Sequence, residues 1–444
     1  MSMRKLMPAT AAVAALTLAV PGIATATTNR NAAQPVTHNT LASHAAHNNA
    51  RQAANRRAFG QAPAVPAAAG NCSGALRYSA RHPRQVVSCM TAGTPAGRTG
   101  RVITRKEGFP VTCDSLPTVV WYYGRFQICL EDFFTEYEVV NGKVKGTAKF
   151  SYAQQLDFAP RSLQWTEADY ARLDSVSGIS KTNSLGWVTK CSGSCAPAKR
   201  TVFPVTPIKV HQTLHGTATF AGTPAKGTTG TLSAQPTVTV VDPVGKPEAY
   251  PITLAKSLEA RCDSQVAVSN TSGCVIPIYV PVFTVSLASS GASAAMIQWA
   301  QTNLSGHWGL QGSGQPLRRL ASDSKARANR NRICDGSFVS GSTNVADDSC
   351  DEFPFAKTYE SGNLNGVTAG SQCAQVTAIR TANAGTVAQQ WAKISVIGKP
   401  AASEKCVRGH IPLPLNTDVG GGLGRFAQAQ RLIDNDEYWL AVTP

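Results

Sequence analysis

The sequence predicts a mainly β N-terminal region, antiparallel and sandwich-like, joined to a small α+β C-terminal domain. Three observations predict this. Short β-branched or alternating runs recur between residues 71 and 290, with Gly, Pro, Ser and Thr clusters between them. Asn141-Gly142 stands between two such runs, at 137–140 and 143–145, and Asn-Gly supplies the positive φ angles of a type I′ hairpin turn. From residue 291 onward the apolar spacing turns helical in places, with short strands between. The 444 residues divide into two or three folded units at roughly 100–200 residues each. Charged residues make up only 15% of the chain, yet Lys and Arg outnumber Asp and Glu 42 to 26, a net charge of +16. This composition excludes a coiled coil, a collagen and a wholly disordered chain.

The chain opens on a positive stretch with Arg4 and Lys5, runs through apolar residues at 11–20 and reaches Ala24-Thr25-Ala26. That order, with its A-x-A cleavage pattern, reads as a secretory signal peptide over residues 1–26. Pro21-Gly22 cuts the run short of the ~20 apolar residues that a membrane span needs, so no span is expected in the mature chain. Residues 27–70 carry Arg30, Arg51, Arg56 and Arg57 with no acid and no useful periodicity. They read as a disordered tail or pro-segment, with His38, His44 and His47 in a solvated linker or a weak metal tract.

Twelve cysteines fall into close couples: Cys72/Cys89, Cys113/Cys129, Cys191/Cys195, Cys262/Cys274, Cys334/Cys350 and Cys373/Cys406. An oxidising compartment lets six disulfides form. Connectivity does not follow from sequence alone, and pairing of nearest neighbours is the expectation. Zinc at Cys191 and Cys195 lacks a second ligand pair at a matching distance. Leader and cysteines together point to a secreted, extracellular protein.

Within the β-rich region, 71–290, further strands are expected at 147–152, 213–220, 236–241 and 275–287. Pro277 and Pro281 demote parts of the last to edge positions. His211 and His215 flank Thr213 in a β-like run, where a spacing of four does not bring them together. Residues 291–304 read as a linker or helix, with Ile297, Ala300 and Leu304 on one face. The C-terminal domain is placed at 305–444.

Its chemistry begins with a basic run at 316–335 holding Arg318, Arg319, Lys325, Arg327, Arg330 and Arg332. Such a run can neutralise several backbone phosphates, or simply form a solvated helix face. Asp347-Asp348-Ser349-Cys350-Asp351-Glu352-Phe353-Pro354-Phe355-Ala356 follows, with two acids between a cystine and an aromatic anchor. Rigid carboxylate oxygens suit Mg²⁺ or Mn²⁺, and a carboxylate can deprotonate an attacking water. Further on, Asn416 precedes Gly420-Gly421-Gly422, read as a Gly-rich loop that presents N–H groups to anions and feeds a short helix from Leu423. Asp434-Asn435-Asp436 makes a turn, and residues 438–442 make a closing strand.

This order of features resembles the C-terminal domain of the NucA/NucB secreted deoxyribonuclease family. The shared elements are the Arg/Asn-rich 329–334, the Cys-Asp-Glu-Phe-Pro-Phe-Ala core at 350–356, Asn416, the glycines from 420 to 424, Phe426 and the final strand. The resemblance implies a metal-dependent, non-specific endonuclease that hydrolyses DNA. Asp351 and Glu352 fall on the family's acidic catalytic pair, and Asn416 on its Asn. In this expectation Asp351, Glu352 and Asn416 hold one Mg²⁺ or Mn²⁺, and one of the two carboxylates activates water. Arg318, Arg319, Arg330, Arg332 and Arg425 bind DNA phosphates. The alternative is a secreted, non-enzymatic β-sandwich binder of anionic cell-wall polymer or extracellular DNA with an inactive nuclease-like tail. A toxin role would add a cognate inhibitor protein as partner.

Overall fold

The computed structural model describes residues 60–63, 72–92, 120–180, 183–242, 247–252, 254, 258–268, 270–312, 314–381 and 385–444. The expected signal peptide and most of the expected tail lie outside them. Within the tail, Gly60–Pro63 is an edge strand, antiparallel to Val120–Tyr123.

Two antiparallel sheets face each other across the first core. The eight-stranded sheet is centred on three long strands, Gln127–Val140, Lys143–Ala159 and Ser162–Gly178, followed by Thr213–Gly222. The six-stranded sheet is centred on Asn183–Gly193 and Thr229–Val241. Alternation decides the facing: in Thr229–Val241, Leu232, Ala234, Val238 and Val240 are buried, while the Thr and Ser residues between them are not. Phe134 and Phe150 of the first sheet meet Tyr250 of the second, with the Phe134 and Tyr250 rings 4.8 Å apart. The expected hairpin is present: Asn141 and Gly142 have φ of 47° and 68° between paired Val140 and Lys143. The expected strand at 275–287 is instead split. Ser272–Val275 ends the sandwich, a turn carries Pro277, and Val282–Ser286 belongs to the second core. A short helix, Ser73–Arg81, also falls inside the β-rich region.

The second core holds the C-terminal chemistry. Val282–Ser286 pairs in parallel with Glu437–Thr443, the expected closing strand. A four-stranded sheet runs in the order Asp348–Phe353, Val407–Pro412, Ala374–Ile379, Lys393–Ile397. The segment expected as linker or helix at 291–304 lies in a helix, Leu287–Asn303, that starts earlier and is integral to this core. It is buried around most of its circumference, which explains its Ala- and Ser-rich composition and weak amphipathicity.

The expected Gly-rich loop at 420–422 is not a loop. Those glycines lie inside one continuous helix, Leu413–Ala429. Each internal Gly costs about 1 kcal/mol relative to Ala, yet Leu415, Val419 and Ala427 bury one stripe, and that burial outweighs propensity. The backbone N–H groups are spent within the helix, so no anion-binding loop exists there.

Five disulfides join described residues, all nearest neighbours in sequence: Cys72–Cys89, Cys191–Cys195, Cys262–Cys274, Cys334–Cys350 and Cys373–Cys406. Cys113, the expected partner of Cys129, lies outside the described residues.

A buried ionic network ties the two cores together. Arg431, fully buried, donates from Nε and Nη2 to both oxygens of Asp263 at 2.6 and 2.7 Å. Arg125 and Arg261 of the sandwich donate to Asp436, in the turn expected at 434–436.

Candidate active site

Successive side chains of a strand point to opposite faces of its sheet. Asp351 and Glu352 are adjacent in Asp348–Phe353, so one acid faces each way. Their partners confirm it. Asp351 Oδ2 accepts from Ser293 Oγ, at 2.7 Å, on the helix Leu287–Asn303. Glu352 Oε1 accepts from Arg330 Nε at 3.1 Å and lies 3.0 Å from its Nη2, on the helix Asp323–Ile333. The expected convergence of Asp351, Glu352 and Asn416 on one ion is therefore corrected: Glu352 is turned away.

Asn416 is on the Asp351 side. It sits one turn into Leu413–Ala429, the helix that directly follows the strand paired with Asp348–Phe353. Its amide nitrogen donates to Ser349 Oγ at 3.2 Å and to Cys350 O at 3.1 Å. Ser349 shares a strand face with Asp351. With the nitrogen spent inward, the amide oxygen accepts from no described protein group. Asp418, two residues on, accepts from Ser290 Oγ at 3.0 Å. Beyond it the helix is bare: no atom lies near where a Cβ would stand at Gly420 or Gly424, and exposed Arg425 follows.

Electrostatics separates the two acids. Burial, reinforced by the charge of Glu352, pushes the Asp351 carboxyl up to about 7. Burial also raises Glu352, opposed by the charge and hydrogen bonds of Arg330. Asp351 therefore changes charge near neutral pH. Glu352 is one half of an ion pair that fastens the basic helix to the sheet, assisted by the Cys334–Cys350 bridge.

The remaining expected cation sites scatter. Arg318 donates to Glu360 at 2.7 Å. Arg319 is half-buried, and desolvation lowers its pKa. Arg332 donates to Thr368 O at 2.7 Å, and Arg330 is held by Glu352. Arg425 alone of the five shares a helix with Asn416.

His410 is fully buried behind the sheet with its ring stacked on Phe338 at 4.1 Å. Arg408 donates to Gln375 Oε1, so the Gln375 amide nitrogen faces His410 Nε2 and Nδ1 carries the proton given to Asp348. Both ring nitrogens are spent on structure. Ser290, Ser293 and Asp418 carried no sequence signal; only the packing of the two helices brings them to Asp351 and Asn416.

Among the described residues no three His, Cys, Asp or Glu side chains gather into a metal cage. Mg²⁺ is ordinarily held by one or two carboxylates and completes its shell with water and substrate phosphate. Glu352 is taken by Arg330, which leaves Asp351 as the one carboxylate on this face, with the neutral Asn416 oxygen on the same side.

On this side of the sheet the structure thus places a buried carboxyl raised to about 7, an unengaged amide oxygen and a bare helix surface that leads to Arg425. Residues 309–393 match the model of the family Deoxyribonuclease NucA/NucB. The matched stretch holds Asp351, Glu352 and the basic helix, and it agrees with the resemblance read from the sequence. Comparisons with curated proteins and with solved structures returned no match. No helix among the described residues is long and apolar enough to cross a membrane.

Proposed function

We propose that this chain is a secreted deoxyribonuclease that hydrolyses DNA phosphodiester bonds at the Asp351–Asn416 face, with little regard for base sequence. The observation that carries the reading is Asp351: a buried carboxyl raised to about 7, inside the family-matched stretch, facing the helix that carries Asn416 and Arg425. Ionised Asp351 takes the proton of a water as that water attacks phosphorus. The opposite P–O bond opens, and the leaving oxygen is protonated from solvent. Mg²⁺ or Mn²⁺ held at Asn416 would supply positive charge to the scissile phosphate. Arg425 contacts a flanking phosphate across the bare helix surface. The leader-like N terminus and the disulfides support export.

The test is incubation of the purified full chain with supercoiled plasmid in Mg²⁺, in Mn²⁺ and in EDTA. Nicking and linearisation with either metal, abolished by EDTA, is the expected result. Retardation of the plasmid without any cleavage would replace the enzyme with the non-enzymatic binder.

A further inference from the structure

The helix Leu287–Asn303 precedes the family-matched stretch, yet it delivers a hydroxyl to Asp351. Its backbone is broken at Gly291, where φ is 45° and ψ is −121°. Only glycine fits there, because the positive φ strains any L side chain and a Cβ would stand 2.7 Å from Ala388 O. The break sets off the first turn from the rest of the helix, and a serine on each side of it reaches an acid. Ser290 donates to Asp418 at 3.0 Å, and Ser293 donates to Asp351 at 2.7 Å. Both serines are almost wholly buried. A buried hydroxyl in a helix usually returns its proton to a backbone carbonyl of the preceding turn. Ser293 gives its proton to a side chain of the opposing strand instead.

We propose that Ser293 is a positioning residue for Asp351, holding Oδ2 so that the other carboxylate oxygen faces the reacting water. This rests on the deoxyribonuclease reading above and extends it to a residue outside the matched stretch. The hydroxyl has one proton, so Oδ2 is anchored and the carboxylate cannot rotate freely. Small misplacements of a reacting group are costly: about 1 Å costs about a hundredfold in rate. The charges that act on Asp351, those of Glu352 and Arg330, are unchanged by a Ser293 substitution. The Ser293 hydrogen bond holds the Asp351 pKa down, so the variants are compared well above neutral pH, where Asp351 is ionised in each.

The experiment compares full-length wild type with Ser293→Ala and Ser293→Thr, measuring kcat and KM on duplex DNA and thermal unfolding. Ser293→Ala is expected to lower kcat by about tenfold with KM within about twofold, because orientation is lost and strand binding is not. Ser293→Thr keeps the hydroxyl and is expected to recover most of the rate. If Ser293→Ala does not fold, the nearly isosteric Ser293→Cys, a weak donor, carries the same expectation. Wild-type kcat in the Ala or Cys variant, or equal loss in Ala and Thr variants of wild-type stability, overturns the proposal. A wild type that cuts no DNA overturns the functional reading as well, so the two failures are distinguishable.

Discussion

Asp263→Asn is expected to destabilise the whole molecule, although it lies in the sandwich. Asp263 receives a bidentate pair of bonds from Arg431, and both side chains are fully buried. Arg431 follows the helix Leu413–Ala429 at φ of 51°, a left-handed position that glycine usually fills. Its side chain is what justifies it there. Asparagine keeps an acceptor for the Val266 and Ala267 N–H groups, which Asp263 Oδ1 now serves, but removes the charge. The guanidinium keeps its hydrogen bonds to Pro160 O, Thr271 O and Asp263 O but loses its counter-charge in the interior, and breaking a buried pair from one side costs about 3–5 kcal/mol. With a urea slope of about 3 kcal/mol/M, the unfolding midpoint falls by about 1–1.7 M. Urea titration followed by Trp fluorescence reads this directly. Replacing both partners, Asp263→Asn with Arg431→Met, leaves no orphan charge, keeps the acceptor for Val266 and Ala267, and should recover part of the loss. A midpoint shift under about 0.3 M for Asp263→Asn would mean that the pair is worth no more than an exposed one, and would refute the clamp.

Two further outcomes are expected. Because Asp351 must be ionised to accept a proton and burial raises it to about 7, kcat/KM should rise through neutral pH and level off above it; a flat profile between pH 5 and 9 would contradict its role as base. A fragment of residues 305–444 should not fold, because it lacks Phe283, Val285, Ala294, Met296, Ile297 and Ala300 of the second core and the Asp263 partner of Arg431. Native near-UV circular dichroism from that fragment would show those contributions to be dispensable.

Much of the sandwich was legible because its strands alternate cleanly and one hairpin carries Asn-Gly. What stayed hidden has physical reasons. Three consecutive glycines look like a loop, and only the buried stripe of Leu415, Val419 and Ala427 keeps them helical. Pro277 and Pro281 pointed to edge positions within one strand, and nothing local told that Val282–Ser286 crosses to the other core. The opposed facing of Asp351 and Glu352 was recoverable in principle: adjacent residues of any strand diverge. Reading the two acids as one oxygen cage overlooked that rule. Asn416 on the Asp351 side, and Ser293 beneath that acid, required the packing of two helices whose contacts no spacing encodes.

The two acids give the most direct test of the account: DNA cleavage by Asp351→Asn set against Glu352→Gln, with folding of both checked by circular dichroism. The account predicts that Asp351→Asn loses about 10²–10⁴-fold in rate, as expected on removing a general base, while Glu352→Gln stays within about tenfold of wild type. Full activity in folded Asp351→Asn, or the larger loss in folded Glu352→Gln, would place the chemistry on the opposite face of the sheet and contradict it.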